Sequence, residues 1–121
     1  MYLQHQRGRK AERLAETYLK QADLRTITRN YRCRGGEIDL IMHESSRLLV
    51  FVEVRYRQSP GYGGAAASVT STKRQHIRRA ALHFLKTRPE FRSWPARFDV
   101  VALDGPISRA HITWLKNAFE C

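Results

Sequence analysis

The sequence predicts an α/β domain in which a mixed β-sheet carries a helix on each side. Two segments place apolar residues at the three- and four-residue steps of an amphipathic helix, and the segments between them alternate or run apolar as strands do. The predicted order is helix, three strands, helix, two strands. With 121 residues and 42% hydrophobic residues, the chain is long enough to bury one core, so residues 1–121 are predicted to form a single domain.

The predicted helices lie at residues 9–22 and 71–86. In the first, alanine, leucine and tyrosine side chains form one apolar face, and Glu12 lies beside that face. In the second, Thr72 and Gln75 have the spacing of an N-terminal capping box, which predicts where the helix begins.

Five segments have the composition and alternation of strands: residues 24–32, 37–43, 47–57, 96–103 and 110–115. The third is almost continuously apolar, which predicts a central strand covered on both faces. Between this strand and the second helix, residues 58–68 are rich in glycine, proline and alanine. This composition predicts a loop whose glycines permit mobility or the close approach of a ligand.

The charge balance favours a nucleic-acid partner. Lys and Arg number 22 against 11 Asp and Glu, a formal net charge of +11. A basic surface that only confers solubility, or one that attracts anionic lipid, is the alternative, but the charge is spread along the chain without a terminal amphipathic anchor. No apolar run approaches the roughly 20 residues of a membrane helix, and no signal peptide is recognisable. We therefore expect a cytoplasmic protein without a membrane partner, with Cys33 and Cys121 as free thiols.

Acidic residues in the second and third strands form the most informative pattern. If a turn at residues 45–47 closes a hairpin, paired residue numbers sum to 92, which places Asp39 opposite Glu53 and Glu37 opposite Arg55. Two carboxylates so placed repel each other, and together they offer the hard oxygen ligands that Mg²⁺ or Mn²⁺ prefers. The alternative is a set of ordinary ion pairs, with Glu37 bound to Arg55 and the other acids bound to neighbouring arginines.

The same segments resemble a known family. The stretches GGEIDLI (35–41), VFVEVRYR (50–57) and RFDVV (97–101) and the closing WLKNAF are similar to the YraN family of bacterial endonuclease-related proteins. Asp39 followed by Glu53-Val54-Arg55 resembles the PD-(D/E)XK nuclease superfamily, particularly archaeal Holliday-junction resolvases. This resemblance implies a restriction-endonuclease-like core and hydrolysis of phosphodiester bonds, with branched DNA among the substrates.

The resemblance also implies roles for individual residues. Asp39, Glu53 and the main-chain carbonyl of Val54 match the ligands of Mg²⁺ or Mn²⁺, and Glu12 matches an acid that completes the catalytic site. Arg55 stands where the superfamily usually has lysine. Because arginine does not lose its proton in proteins, we expect Arg55 to orient water or hold a phosphate, and not to act as a base.

Arg57, Lys73 and Arg74 are the residues expected to contact nucleic acid, although a solvated helix face is the alternative for Lys73. Asp99, mid-strand among apolar neighbours, is predicted to be a structural hydrogen-bonding group. The intact acids favour a nuclease, whereas Arg55 favours a non-catalytic nucleic-acid-binding module of the same fold; a basic protein–protein adaptor is a third alternative. A homodimer fits the analogy with resolvases, since cutting two strands symmetrically needs two sites.

Overall fold

The predicted fold class and element order are confirmed. The structure, a computed structural model, describes residues 2–59 and 64–120, with side chains from residue 8 onward. The helices and strands are α1 (Tyr2–Gln21), β1 (Arg25–Cys33), β2 (Gly36–Glu44), β3 (Leu48–Arg57), α2 (Ser71–Thr87), β4 (Ala96–Asp104) and β5 (His111–Phe119). No helix in the described part of the chain has the length and apolar character needed to cross a membrane.

The five strands form one sheet in the order β1-β2-β3-β4-β5. Neighbouring strands are antiparallel except β3 and β4, which are parallel and are connected through α2. The predicted central position of β3 is confirmed, because it pairs on both sides and its residues from Leu49 to Val54 are buried. The crossover therefore brings the first turn of α2 near the end of β3.

Each face of the sheet is covered by one helix. α1 places Ala11, Ala15 and Leu19 in one apolar cluster, and α2 contributes a row of buried residues to a second cluster on the opposite face. The buried row of α1 is narrower than predicted, since Leu14 is 39% exposed and Tyr18 is 38% exposed. Two of its three members are alanines, which let the helix backbone approach the sheet closely and leave the larger side chains at the margin.

The first turn of α2 is capped by Thr70. Its backbone is extended (φ −76°, ψ 168°), and its side chain accepts a hydrogen bond from the main-chain N–H of Lys73. The predicted capping box of Thr72 and Gln75 is wrong, because Thr72 is already inside the helix, whereas an N-cap residue needs non-helical dihedral angles.

The turn between β1 and β2 lies directly against α2. A Cβ atom added at Gly36 would lie 2.6 Å from the main-chain oxygen of His76 and 2.8 Å from the main-chain nitrogen of Ala80. These distances are shorter than any ordinary van der Waals contact, so the close approach of the turn to the helix requires glycine.

Strand β5 is longer than predicted and reaches Phe119. Its pairing with β4 shifts between Phe98 and Val100, and Asn117 has a positive φ of 53°. Such an irregularity interrupts the alternation of apolar and polar residues by which a strand is predicted. The predicted strand therefore ended at residue 115, four residues before the end of β5.

Candidate functional site

The hydrogen-bonded ladder between β2 and β3 ends just before the two predicted metal ligands. The paired residues run from Glu44–Leu48 to Leu40–Val52, and each pair sums to 92 as predicted. Asp39 and Glu53 are the next positions in this register, beyond the last pair. The predicted pairing of Glu37 with Arg55 does not form, since the strands are no longer paired there.

Asp39 lies where β2 departs from regular alternation. Ile38 packs in the apolar cluster with α2 and Leu40 packs in the cluster with α1, although strict alternation would place both on one face. The Oδ2 atom of Asp39 accepts a hydrogen bond of 2.7 Å from the main-chain N–H of Val54. The Asp39 carboxylate thus accepts the hydrogen bond that the Val54 N–H of β3 would otherwise donate to a main-chain carbonyl of β2. We call Asp39, Glu53 and Val54 the fork.

Glu53 is a buried acid beside another acid. It is 3% exposed, and burial, followed by the negative charge of Asp39, raises the pKa of Glu53 to about 9. Burial also raises the pKa of Asp39, against the lowering effect of its hydrogen bonds with Glu53 and the Val54 N–H. The two carboxyl groups therefore favour a shared proton over two negative charges in the metal-free protein.

Two cations face Glu53 at longer range. The Oε2 atom lies 3.5 Å from Nη1 of Arg55 and 3.8 Å from Nζ of Lys73. Lys73 Nζ also lies 3.3 Å from Oε1 of Glu37, so the first turn of α2 directs its amine at the acids and not into solvent. The sequence predicted Lys73 as a residue near the helix start but did not connect it with Glu53.

Arg55 joins the end of β3 to the segment before α2. Its Nε donates a 2.7 Å hydrogen bond to the hydroxyl of Ser68, which in turn donates to the main-chain oxygen of Ala65. This chain of hydrogen bonds holds the segment that leads to Thr70 and Lys73. Part of the predicted loop, residues 60–63, lies outside the described residues.

Glu12 approaches the fork from α1. Burial raises the pKa of Glu12, and the charge of Asp39 raises it further, while a side-chain hydrogen bond with Asn30 lowers it. Glu12 also lines a cleft of about 590 Å³ with the end of β3, including Val54, Arg55 and Arg57. The acid from α1 therefore shares an open cleft with Val54 of the fork and with Arg57, a predicted nucleic-acid contact, whereas Asp39 and Glu53 do not line this cleft.

Arg74, the third predicted nucleic-acid contact, is exposed on α2. Its guanidinium lies 5.5 Å from the centre of the Phe119 ring, which places it beside the last residues of β5.

The fork has the donor chemistry of a magnesium site. Within the described residues, no three His, Cys, Asp or Glu side chains are arranged to hold a metal ion. Mg²⁺ commonly takes only one or two carboxylates, however, and completes its coordination with water and substrate phosphate. Both main-chain groups of a strand residue point to the same side, so the carbonyl of Val54 faces the same open edge as its N–H, next to Asp39. Asp39, Glu53 and this carbonyl are therefore the groups that could hold such an ion.

Two other buried acids have complete sets of donors. Asp99 is fully buried and accepts hydrogen bonds from the guanidinium of Arg97, the indole of Trp114 and the main-chain N–H of Asn117. These contacts give it the structural role that its apolar neighbours predicted.

Sequence reasoning missed the role of Glu16. This acid is 7% exposed and accepts from the hydroxyl of Thr26 at 2.5 Å and from Arg29 at 2.7 and 2.8 Å. The hydrogen bonds hold the pKa of Glu16 below its usual value despite burial. The sequence did contain one signal for this role: Lys20 lies four residues after Glu16 on the same helix, and the two side chains form an ion pair.

Together, the sheet, the helices and the fork define a mixed α/β protein compatible with a nuclease-like core. The model of the family described as "Uncharacterised protein family UPF0102" matches residues 11–103, and the chain belongs to this family. The predicted membership of the YraN family is thereby confirmed.

Relatives of similar length support this assignment. A UPF0102 protein of Saccharophagus degradans is 52% identical over 112 residues, which cover 93% of this chain and 91% of the relative. One from Legionella pneumophila is 48% identical over 115 residues and 95% of both chains. One from Pseudomonas entomophila is 46% identical over 115 residues, covering 94% of this chain and 93% of the relative.

Proposed function

We propose that the protein is a Mg²⁺- or Mn²⁺-dependent endonuclease that hydrolyses phosphodiester bonds in DNA. The observation that carries this proposal is the fork, where Asp39 and Glu53 meet and the two cations of Glu53, Arg55 and Lys73, lie at the long distances of 3.5 and 3.8 Å. Ionised carboxylates are costly to bury unless they are paired. The contacts of 3.5 and 3.8 Å to Glu53 exceed the roughly 2.7–2.9 Å of a strong charge-assisted hydrogen bond, so a divalent ion is the natural counter-charge.

In this function Asp39, Glu53 and the carbonyl of Val54 hold the ion. A divalent ion so held supplies activation of water and stabilisation of the charge that develops on the phosphate. In this proposal Glu12, which lines a cleft with Val54 and whose pKa is raised by burial and by the charge of Asp39, adds a third acid near the ion.

The two cations beside Glu53 have different tasks. Arg55 uses Nε to bind Ser68, which leaves its Nη groups directed toward the acids and able to bind a phosphate oxygen. Lys73 has a flexible stem and contacts its two acids only at 3.3 and 3.8 Å, so its amine can also reach a phosphate bound at the fork.

The net positive charge of the whole protein contributes to binding of the substrate. A net charge of +11 attracts the phosphate backbone independently of sequence, and Arg57 lies in the same cleft as Glu12. A titration of DNA binding at several salt concentrations should give a steep fall in affinity, because phosphate contacts release counterions. An affinity that does not change with salt would contradict the nucleic-acid partner.

The test of the chemistry compares wild type with Glu53→Gln. We expect purified wild type to cleave linear or branched DNA in Mn²⁺ or Mg²⁺ and to be inactive in chelator. Glu53→Gln should lose cleavage and keep DNA binding, whereas the control Glu90→Gln, which changes an exposed acid bound to Arg88, should keep both. Cleavage that survives in Glu53→Gln would indicate a contaminating nuclease.

A non-catalytic nucleic-acid-binding module is the second candidate. Two observations favour it. Arg55 occupies the position where the superfamily usually has lysine, and its Nε is hydrogen-bonded to Ser68. This module would show the steep salt dependence of binding but no metal-dependent cleavage of linear or branched DNA. The comparison of cleavage by wild type in metal and in chelator therefore separates the two candidates.

A further inference from the structure

Helix α2 has an unusually one-sided charge. Its 17 residues include five Lys or Arg and two His but no Asp or Glu, whereas α1 carries both signs. The helix buries an apolar row against the sheet and turns the opposite side to solvent. We call this solvent side the outer face of α2. Its exposed members are Gln75, Arg79, Leu82 and Lys86, and the partly buried Arg78 lies at its margin.

The cations of the outer face lack acidic partners. In the part of the chain that the structure describes, no carboxylate lies within 4 Å of Arg78, Arg79 or Lys86. Arg78 donates to the main-chain oxygen of Glu120, and this neutral contact leaves its charge uncompensated. Gln75, Arg78, Arg79 and Leu82 line an open cavity of about 310 Å³, so its lining includes two guanidinium groups and no acid. An anion is the complementary ligand.

None of the outer-face residues carries an aromatic ring, and the two exposed rings of α2, His76 and His83, lie outside this face. Proteins that bind single strands combine positive charge with exposed aromatic rings. The one Phe, Tyr or Trp of α2 is Phe84, which is 1% exposed and packs in the core. Its most exposed large hydrophobic residue is Leu82, at 62%. Charge without stacking rings favours recognition of a double helix through its phosphates.

The helix also begins at the fork. Lys73, in its first turn, contacts Glu53, and Lys86 lies thirteen residues further on, or about 20 Å at about 1.5 Å per residue. About 20 Å corresponds to roughly six base pairs at about 3.4 Å each. Lys73 faces the sheet and Lys86 faces solvent, so a duplex that reaches the fork at the N-terminal end of α2 would continue along the outer face only if it crosses the helix obliquely.

We propose that the outer face of α2 binds the phosphate backbone of a double-stranded DNA arm of about six base pairs next to the cleaved bond. This inference rests on the proposed function and makes it more specific. It adds duplex structure beside the reacting phosphate as a requirement on the substrate, and it assigns Arg79 and Lys86 as the principal contacts.

The test compares two double variants that lose the same charge. Arg79→Ala with Lys86→Ala removes the outer-face cations, and Arg25→Ala with Arg109→Ala removes two exposed arginines elsewhere. The probes are a 20-base-pair DNA duplex, a 20-nucleotide single strand and a 20-base-pair RNA duplex, measured by fluorescence anisotropy in chelator at several salt concentrations.

We expect the outer-face variant to bind duplex DNA about tenfold more weakly than the control variant, with a salt slope smaller by about two, since each phosphate contact contributes about 0.9. Single-strand affinity should fall equally in both variants, and a 4-base-pair duplex should not distinguish them. An outer-face variant indistinguishable from the control on duplex DNA would overturn the inference, as would equal losses on single strand and duplex or a preference for duplex RNA. A wild type that binds no nucleic acid would instead refute the proposed function.

Discussion

Two sites bury carboxylates in strands of the same sheet, and they differ in what surrounds the acid. Asp99 in β4 receives hydrogen bonds from a guanidinium, an indole and a main-chain N–H, and it has no exposed surface. At the fork, Asp39 receives one main-chain N–H and faces Glu53, whose nearest cations are 3.5 and 3.8 Å away.

The number of hydrogen-bond donors around a buried acid therefore distinguishes a structural acid from a candidate functional one. A buried carboxylate with enough donors stays charged and stabilises the fold, because its lost hydration is replaced. At the fork, the buried carboxyl of Glu53 faces the partly buried carboxyl of Asp39 and lacks this replacement, so the folded protein contains an unfavourable interaction that a cation can relieve. The predictions below test this contrast.

The largest expected effect is on activity. Asp39→Asn should reduce metal-dependent DNA cleavage about thousandfold, on the scale of losing one group that stabilises the transition state. Asp99→Asn should leave the rate within a few fold when it is measured well below the melting temperature of the variant, because Asp99 binds only structural donors. Initial rates with a labelled duplex measure both. Equal losses in the two variants would remove the proposed distinction.

The second effect is on stability. Asp99→Asn replaces an accepting oxygen with an NH₂ group that faces donors, and it leaves Arg97 with less compensation. We expect the free energy of unfolding to fall by about 3 kcal/mol, the scale of breaking a buried ion pair. Urea denaturation in chelator measures this value, with Glu90→Gln as the surface control. A loss below about 1 kcal/mol would show that Asp99 is not a structural centre.

The third effect has the opposite sign. Near neutral pH, Glu53→Gln should raise the free energy of unfolding of the metal-free protein by about 1–2 kcal/mol, because folding then no longer requires protonation of a carboxyl group that is charged in the unfolded chain. Mn²⁺ should raise the melting temperature of wild type and not of this variant, since a ligand bound by the native state stabilises it. A variant that melts lower in chelator, beside a wild type that does not respond to Mn²⁺, would favour an ordinary ion pair of Glu53 with Arg55 or Lys73.

The smallest effect is a difference in pH dependence between Glu53 and Glu16. The pKa of Glu53 is raised to about 9, so the folded state binds more protons than the unfolded state above the ordinary value of 4.5, and stability should fall as pH rises from 4.5 toward 9. The pKa of Glu16 is lowered, so its stabilisation should be present above 4.5 and lost as pH falls through its folded value.

Denaturation of the metal-free protein between pH 3 and pH 9 checks both slopes. Glu53→Gln should flatten the curve on the alkaline side, and Glu16→Gln should flatten it on the acid side. A wild-type curve that rises from pH 5 to pH 9 would contradict the assignment at the fork.

The order of the helices and strands, the register of the β2–β3 hairpin and the family were all predictable from residue spacing and short motifs. The three- and four-residue spacing placed both helices, and a short turn after Glu44 set the pairing of Leu40 with Val52. These properties are local, since they depend on residues within one element or across one tight turn. For the same reason Asp39 and Glu53 could be recognised as neighbours.

The hydrogen-bond donors and cations around each acid, in contrast, come from distant parts of the chain and are visible only in the folded protein. Lys73 reaches Glu53 across the crossover helix, and Trp114 reaches Asp99 from the last strand. Helix packing and a strand irregularity set these contacts, and neither leaves a pattern in residue spacing. In the sequence, Asp39 and Asp99 are both acids among apolar residues. In the folded chain several hydrogen-bond donors contact Asp99, whereas Asp39 lies next to a second carboxyl group.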